Sequence, residues 1–424
     1  MESYSSVDSA LTRLFQSIKI NPRSEFVSVF SSAGRVLKEN IKSNYDVPEY
    51  NSSHMDGYAI ISKDTVNASE SNPIILKVAK EISILGEQST YDLKPGEAFR
   101  IQTGGFLPHK ADAVIPIENT KQNNNNEIII IAPTLTGNFV YEAGSDIKKG
   151  RRVLSKGQIL SAQDMTLLAN IKFMSVPVFQ KPKVAIIPTG SELTDNLSEY
   201  KNNNFKKIIN TNGPFISLIT GEIGAIPYSF PVTEDNLDLL KAKLKLALEE
   251  SDIVVTIGGS SIGKHDLVAE SINSIGHPGL IVHGIRLDRG RVSGLGVINE
   301  KPIVMLPGPI QGALNAFIAF ARPLIRSFQG LTQKSNLSVI ATITDNWLAR
   351  KKFKNFKKIL YVKVYTHDNN LVAIPYTGET QSISLLTKCN GYIEVSEETM
   401  EIKTGEKVLV NLLPGFSFIK DTLF

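Results

Sequence analysis

The residues able to do chemistry gather in short turns between apolar runs. Gly258-Gly259-Ser260-Ser261-Ile262-Gly263 follows an apolar run ending at Ile257 and leads into a helical pattern that contains Asp266. Glycines let backbone N–H groups approach a ligand, and a helix N-terminus favours an anion, so this turn suits a phosphate-bearing small molecule. Three more turns have the same placement: Pro188-Thr189-Gly190-Ser191-Glu192, Asn210-Thr211-Asn212-Gly213 and Leu306-Pro307-Gly308-Pro309. Any one alone is more often ordinary connection chemistry, because Gly, Ser and Asp are also helix-capping residues. Together they exceed what one structural turn requires.

Glu192 and Asp266 stand where a divalent cation bridging phosphate oxygens would find oxygen ligands; a helix cap or first-turn acid is the equal alternative for each. Arg286, Arg289 and Arg291 surround Gly290 after the run Leu280-Ile281-Val282, and read either as an oxyanion clamp or as a solvated basic loop. Nearer the N-terminus, Ser53-His54-Met55-Asp56-Gly57-Tyr58-Ala59 and Arg100-Ile101-Gln102-Thr103-Gly104-Gly105 combine acid, hydroxyl and glycine in short loops. No nucleophile elbow, P-loop or His-x3-His pattern occurs, and the six histidines are scattered, which argues against a zinc centre.

The elements that must position these turns follow from periodicity. Val7, Leu11, Leu14, Phe15 and Ile18 predict an amphipathic opening helix, and a second helix is expected over residues 26–37. From residue 46 the texture changes to short β-type runs, with a solvated hairpin tip at residues 122–127. Helix returns near residues 161–171. Apolar runs at 184–187, 253–257, 280–282 and 303–306 then alternate with helical patterns. This predicts a parallel-type sheet covered on both faces, with ligands at the carboxyl ends of its strands. Short strands resume from Ser338. The expected domains are residues 1–45 with 141–178 (helical), 46–140 (β), 179–332 (α/β) and 333–424 (β).

At 424 residues the chain exceeds one ordinary core. Apolar residues make up 42% and charged residues 21%, a globular profile. Lys and Arg outnumber Asp and Glu by 46 to 42, so the net charge of +4 does not indicate nucleic-acid binding. The single cysteine, Cys389, excludes an intramolecular disulfide framework and Cys-based metal clusters, and fits a reducing compartment. With no signal-like N-terminus and no apolar run of about 18 residues, no membrane span is expected and the location is read as cytoplasmic.

The ordered turns also carry a resemblance. Ser53 to Ala59 resembles the SxMDGYA signature of the molybdopterin molybdenumtransferase family, which includes bacterial and archaeal MoeA proteins and the gephyrin E domain. The stretch from Arg100 through Pro108 to Val114 is similar to its RIxTGAxxPxGADAV segment. Gly144-Ser145-Asp146-Ile147, the turns at 188–193 and 258–266, and Leu306-Pro307-Gly308 resemble later family motifs in the same order, across essentially the whole chain.

The resemblance implies an elongated four-domain homodimer with a helical domain, a β lid domain, a central α/β molybdopterin-binding domain and a C-terminal β domain. It implies metal insertion into adenylylated molybdopterin, from molybdate or tungstate, with Mg2+ and release of AMP, and substrate transfer from the adenylylating protein of the same pathway. By matching position it assigns Asp56, Thr103, Asp146, Glu192 and Asp266 to catalysis, with Asp266 and Glu192 at the metal. Gly258, Gly259, Ser261 and Gly263 would hold the pterin phosphate, with Arg289, Arg291, Pro307 and Gly308 also in binding positions. The chain departs at Asn210, where the family commonly has Asp, and at Asp288 to Val292, which replaces its KPGKP turn and reverses the first charge. Pro309 to Gly312 stands where the family has NPVS, Tyr361 falls where an Arg is expected, and Ser382 and Ser384 only loosely match a serine-rich segment. Alternatives are a paralogue that binds pterin or cofactor for storage, delivery or regulation, and a dimeric scaffold.

Overall fold

A computed structural model describes residues 4–82, 85–124, 126–198, 207–259, 266–331, 337–378 and 382–413. The chain divides into two compact units, one of residues 1–26, 34–38 and 177–424, the other of residues 27–33 and 39–176.

The opening helix α1 (Val7–Ser17) buries Val7, Ala10 and Leu14 on one face, and Ser6 caps it by accepting from the Ser9 N–H. The helix expected over residues 26–37 does not form. That stretch is a strand, Ser24–Ser28, followed by a single 3-10 turn, Val29–Ser31. Phe26 and Phe30 are 72% and 74% exposed whereas Val29, Val36 and Leu37 are buried, so the apolar residues do not share one buried helical face. Without that face, Ser28, Ser31, Ser32 and Gly34 decide for turns, since Ser competes with helix by local hydrogen bonds and Gly by backbone entropy.

The second unit contains a six-stranded sheet of β1 (Gly57–Ile60), β2 (Ile74–Ile82), β3 (Glu97–Ile101), β4 (Ala113–Pro116), β5 (Lys121–Asn124) and β6 (Glu127–Ile130), in the order β4-β1-β3-β2-β6-β5. Alternate residues of β1 serve two clusters: Tyr58 and Ile60 pack with Leu76 and Ile115, whereas Ala59 packs with Phe99, Ile101 and Val114. A Cβ on Gly57 would lie 2.0 Å from the Ile115 carbonyl oxygen, so the close pairing of β1 with β4 requires glycine directly after Asp56. The same unit holds α2 (Ala162–Asn170), which begins with a complete Ser161/Asp164 capping box.

In the first unit, β7 (Lys183–Pro188) is followed by α3 (Asn212–Glu222), β8 (Ile226–Ser229), α4 (Leu237–Glu250), β9 (Ile253–Ile257) and α5 (Leu267–Ile275). Then come β10 (Pro278–His283), β11 (Gly294–Ile298), β12 (Lys301–Leu306) and α6 (Ile310–Ala316). The sheet order is β8-β7-β9-β12-β11-β10. The first four are parallel, as the apolar runs predict, and all of β9 and nearly all of β7 and β12 are buried. The run at Leu280 is not a further parallel strand. It forms an antiparallel hairpin with β11, which pairs antiparallel with β12, and residues 284–293 are the hairpin loop. Glycines at 294 and 296 dilute the apolar signal of β11. Both are needed: Cβ atoms there would come within 2.7 Å of Met305 Sδ and 3.0 Å of Ile272 Cγ2.

The described residues from Ser338 onward include a closed five-stranded barrel of β13 (Ser338–Ile343), β14 (Lys358–His367), β15 (Asn370–Tyr376), β16 (Gly391–Val395) and β17 (Lys407–Leu412), with the short helix α7 (Ile383–Lys388) between β15 and β16. Among the described residues no helix is long and apolar enough to cross a membrane.

Ile303 is fully buried between Val254, Ile272 and Met305 in the layer beneath one face of the parallel sheet. Truncation to Ala leaves a cavity there, and we expect a loss of about 2–5 kcal/mol. Chemical denaturation followed by far-ultraviolet circular dichroism should show the transition of this unit moved to lower denaturant.

Candidate functional site

β7, β9 and β12 end side by side at Pro188, Ile257 and Leu306, and the chain then turns over the sheet edge. The Gly258 N–H donates to the Leu306 carbonyl at 3.0 Å, which ties two of these turns together. Gly258 has φ +87°, and a Cβ on it would sit 2.6 Å from the Thr189 carbonyl oxygen; on Gly259, φ +61°, it would sit 2.6 Å from Thr189 Oγ1. Glycine here is a packing requirement before any ligand is considered. Ser261 and Gly263 of the same motif lie outside the described residues.

Above these ends lies an open cavity of about 450 Å3, walled by the turns at Pro188, Asn210, Gly258 and Gly308 and by Ile383. Three helices start on its wall, at Asn212, Ile310 and Ile383; none is capped by its own N-cap residue, but at the first the Asn210 side chain takes the Gly213 N–H and Pro214 has no N–H to offer. Helices α1, α2, α4 and α5, which start elsewhere, are each capped by a side chain: Ser6, Ser161, Asn236 and Asp266. The first N–H groups of a helix need an acceptor, so the starts at Ile310 and Ile383 present donors to the cavity, while the start at Asn212 adds chiefly the partial positive charge of its helix. Asn212 Nδ2 donates to the Gly308 carbonyl at 2.6 Å and joins two walls. Asn210 works locally: Oδ1 accepts from the Gly213 N–H at 3.0 Å and Nδ2 donates to Asp195 at 2.8 Å. An Asp could not make that second bond while ionised.

Of the two expected metal ligands, Glu192 is exposed on the cavity wall, with its carboxylate folded over Gly190. Asp266 is 8% exposed and caps α5, accepting from the Ala269 N–H at 2.8 Å, while its other oxygen lies 3.2 Å from His283 Nε2 without an aligned hydrogen bond. Asp266 therefore takes the capping role that the sequence also allowed. Among the described residues no group of three or more His, Cys, Asp or Glu could hold a metal ion.

A second cavity of about 320 Å3 shares Pro309 with the first and is lined by Pro307, Arg289, Arg291, Arg350 and Lys352. Arg289 turns at φ 58° and donates to the Gly378 carbonyl; Arg291 is exposed. Asp288, the reversed charge, ion-pairs with Arg350. Arg350 and Lys352 went unrecognised from sequence, although the run Arg350-Lys351-Lys352 is visibly basic. Tyr361 is fully buried and donates through its hydroxyl to Asn315 Oδ1 at 2.7 Å; burial drives its phenol well above the ordinary value. Gly308 belongs to the first cavity.

The other unit carries Asp56, Thr103 and Asp146, all exposed. Asp56 follows Ser53, whose hydroxyl donates to the Met55 carbonyl, and precedes β1; Thr103 follows β3, the antiparallel neighbour of β1. This pairing brings the two motifs together: Asp56 Oδ1 accepts from the Thr103 N–H at 2.6 Å and from its hydroxyl at 2.8 Å. The backbone bond, then the hydroxyl bond, hold the Asp56 carboxyl below the ordinary carboxylate value. Asp146 lies in a turn whose N–H donates to the Val47 carbonyl at 3.1 Å.

Comparison with known proteins places these features. The MoeA N-terminal region (domain I and II) matches residues 5–171, the "Probable molybdopterin binding domain" residues 185–327, and the MoeA C-terminal region (domain IV) residues 346–413. A relative in Methanocaldococcus jannaschii, whose name refers to molybdopterin biosynthesis, is 32% identical over 95% of each chain. The molybdopterin molybdenumtransferase of Bacillus subtilis is 29% identical over 96% of this chain and 94% of its own. That of Staphylococcus aureus is 30% identical over 78% and 77%. A solved structure of a molybdopterin biosynthesis MoeA protein from Pyrococcus horikoshii superimposes with a TM-score of 0.83 at 32% identity, over 98% of this chain and 100% of that one.

Replacing Thr103 by Val removes the hydroxyl bond and keeps the backbone bond, so the Asp56 titration should move only part of the way back toward its ordinary value. Carbon-detected NMR titration of the Asp56 carboxyl checks this. The sign is that of a depressed carboxyl: wild-type Asp56 stays ionised to lower pH than the variant, and any stability it adds is lost as pH falls through its folded value.

Proposed function

The chain belongs to the molybdopterin molybdenumtransferase family, and from that premise we propose that it inserts molybdate, or tungstate, into adenylylated molybdopterin with release of AMP. Its class is that of a molybdenum-inserting transferase of molybdenum cofactor biosynthesis. The observation that carries the finer reading is the contrast in helix capping. Helix starts without side-chain caps, at Ile310 and Ile383, meet Gly258 on one cavity, which suits a ligand bearing phosphate.

In this reading the Gly258 and Gly259 turn, continued by Ser261 and Gly263, receives the pterin phosphate, with Gly308 next to Gly258. Arg289 and Arg291, beside Pro307, offer charge-assisted donors to the tetrahedral oxyanion in the adjoining cavity. Mg2+ is assigned to Glu192 and Asp266, and the two fit it unequally. Glu192 stands on the cavity wall, and Mg2+ commonly takes one or two carboxylates and completes its shell with phosphate oxygens and water. Asp266 already serves the Ala269 N–H and faces His283, so it contributes chiefly by fixing the start of α5. When bound, Mg2+ would supply charge neutralisation at the phosphate from which AMP departs. In the other unit, Asp56, clamped by Thr103, is a fixed anionic acceptor for donor groups of the substrate, and Asp146 is assigned the same role. A homodimer, receipt of substrate from the adenylylating protein of the same pathway and a cytoplasmic location complete the reading, on the family resemblance and the single cysteine.

Purified protein given adenylylated molybdopterin, Mg2+ and molybdate should release AMP, measured by chromatography. Binding of the pterin nucleotide without AMP release would instead favour a storage or delivery protein. Glu192→Gln should lower AMP release roughly 100-fold, the scale of losing one electrostatic contact at a reacting phosphate, and should raise the Mg2+ concentration required. Turnover at the wild-type rate in that variant would remove Glu192 from the site.

A further inference from the structure

A further cavity of about 370 Å3 shares Arg289 and Arg350 with the oxyanion cavity, and Asp288 lines that one. Asp288 immediately precedes Arg289, and its carboxylate ion-pairs with Arg350, one of the cations on the cavity wall. The two partners are not equally free. Asp288 is anchored from behind: its N–H donates to the Lys357 carbonyl at 2.8 Å, its carbonyl accepts from Asn315 Nδ2 at 3.0 Å, and its side chain is only 11% exposed. The Arg350 side chain is 38% exposed and lies over the Phe353 ring, 4.5 Å from its centroid. The arginine is the partner with room to move.

We propose that Asp288 is a built-in competitor of the oxyanion: it holds Arg350 when the cavity is empty, yields it to a tetrahedral dianion, and sets how tightly that dianion binds. The proposal rests on the reading of the Arg289 and Arg291 cavity as the oxyanion site. A guanidinium already paired with a carboxylate has less to offer an incoming anion, and the carboxylate itself repels that anion. Pairing also orders the Arg350 side chain, which favours capture. The two effects separate by ligand charge. Repulsion acts twice as strongly on a dianion as on a monoanion of the same size and shape, whereas the cost of ordering one side chain is the same for both.

If competition dominates, removing the Asp288 charge strengthens binding, and the gain for a dianion is about the square of the gain for a monoanion. We expect Asp288→Asn, measured by titration calorimetry on the full chain, to bind molybdate about tenfold more tightly and the monoanion perrhenate about threefold more tightly. Arg350→Gln should weaken molybdate binding, and in that background Asp288→Asn should yield a smaller gain because there is no guanidinium to release. Circular dichroism confirms that each variant is folded, and Asp288→Ser serves if the amide disturbs the turn.

Unchanged or weaker molybdate binding in both folded Asp288 variants would overturn the proposal and make Asp288 a positioning residue for Arg350. Equal gains for the two anions would overturn it as well. A separate result tests the reading beneath it: molybdate binding insensitive to Arg291→Gln would move the oxyanion site elsewhere and take this proposal with it. AMP release by the wild type is independent of all these outcomes.

Discussion

The hydrogen bond from the Gly258 N–H to the Leu306 carbonyl, made where a Cβ would collide with Thr189, is the constraint on which the main cavity depends. It fixes the exits of β9 and β12 against each other while the turn after β7 presses on them from the side. Three parallel strands then end at one level, and the helices that follow β7 and β12 start around one space. In a sheet with this connectivity ligands bind at the carboxyl ends of the strands, and here those ends are held by backbone bonds.

What the side chains do is leave that space available. Away from the cavity, the first unit ends its orphan N–H groups in ordinary ways, with Asn236 capping α4 and Asp266 capping α5. At the cavity, Asn210 takes the Gly213 N–H of α3, whereas Pro309 has no side chain that could cap α6. An unmade cap typically costs about 1 kcal/mol, small against the unit's burial but a real local deficit. A phosphate can offset it with several charge-assisted bonds, so the deficit and the affinity are two sides of one arrangement.

The parts legible in the sequence were those governed by local rules. The runs that became β7, β9 and β12 declared burial on both faces, and the glycine turns declared close backbone approach. The stretch 26–37 misled because its apolar spacing suits a helix while Phe26 and Phe30 find nothing to pack against. Strand β11 escaped notice because two of its five residues are glycines whose Cβ atoms would meet Met305 and Ile272 from elsewhere in the fold. Asp56 and Thr103 were recognisable only as separate motifs; their bond arises from the pairing of β1 with β3, which no local rule predicts. Asp288 and Arg350 are 62 residues apart, so the reversed charge read as a loss when its compensation lies in the segment leading to the barrel.

That compensation changes how the substituted turn is understood. A reversed charge left bare beside an anion site would oppose binding by several kcal/mol at short range in a partly buried setting. Paired with Arg350 it becomes close to neutral while empty, and the net positive charge of the wall comes from Arg289, Arg291 and Lys352. The positive charge is therefore redistributed rather than lost, from the turn itself to a turn that also receives a cation from another part of the chain. Pro309 gives this a further consequence. It lines both the phosphate-type cavity and the cationic one, so ligands in the two would share a neighbour. Two anions held that closely repel each other, and a wall whose cation is partly neutralised by its own carboxylate limits how tightly the smaller anion can be trapped before it reacts.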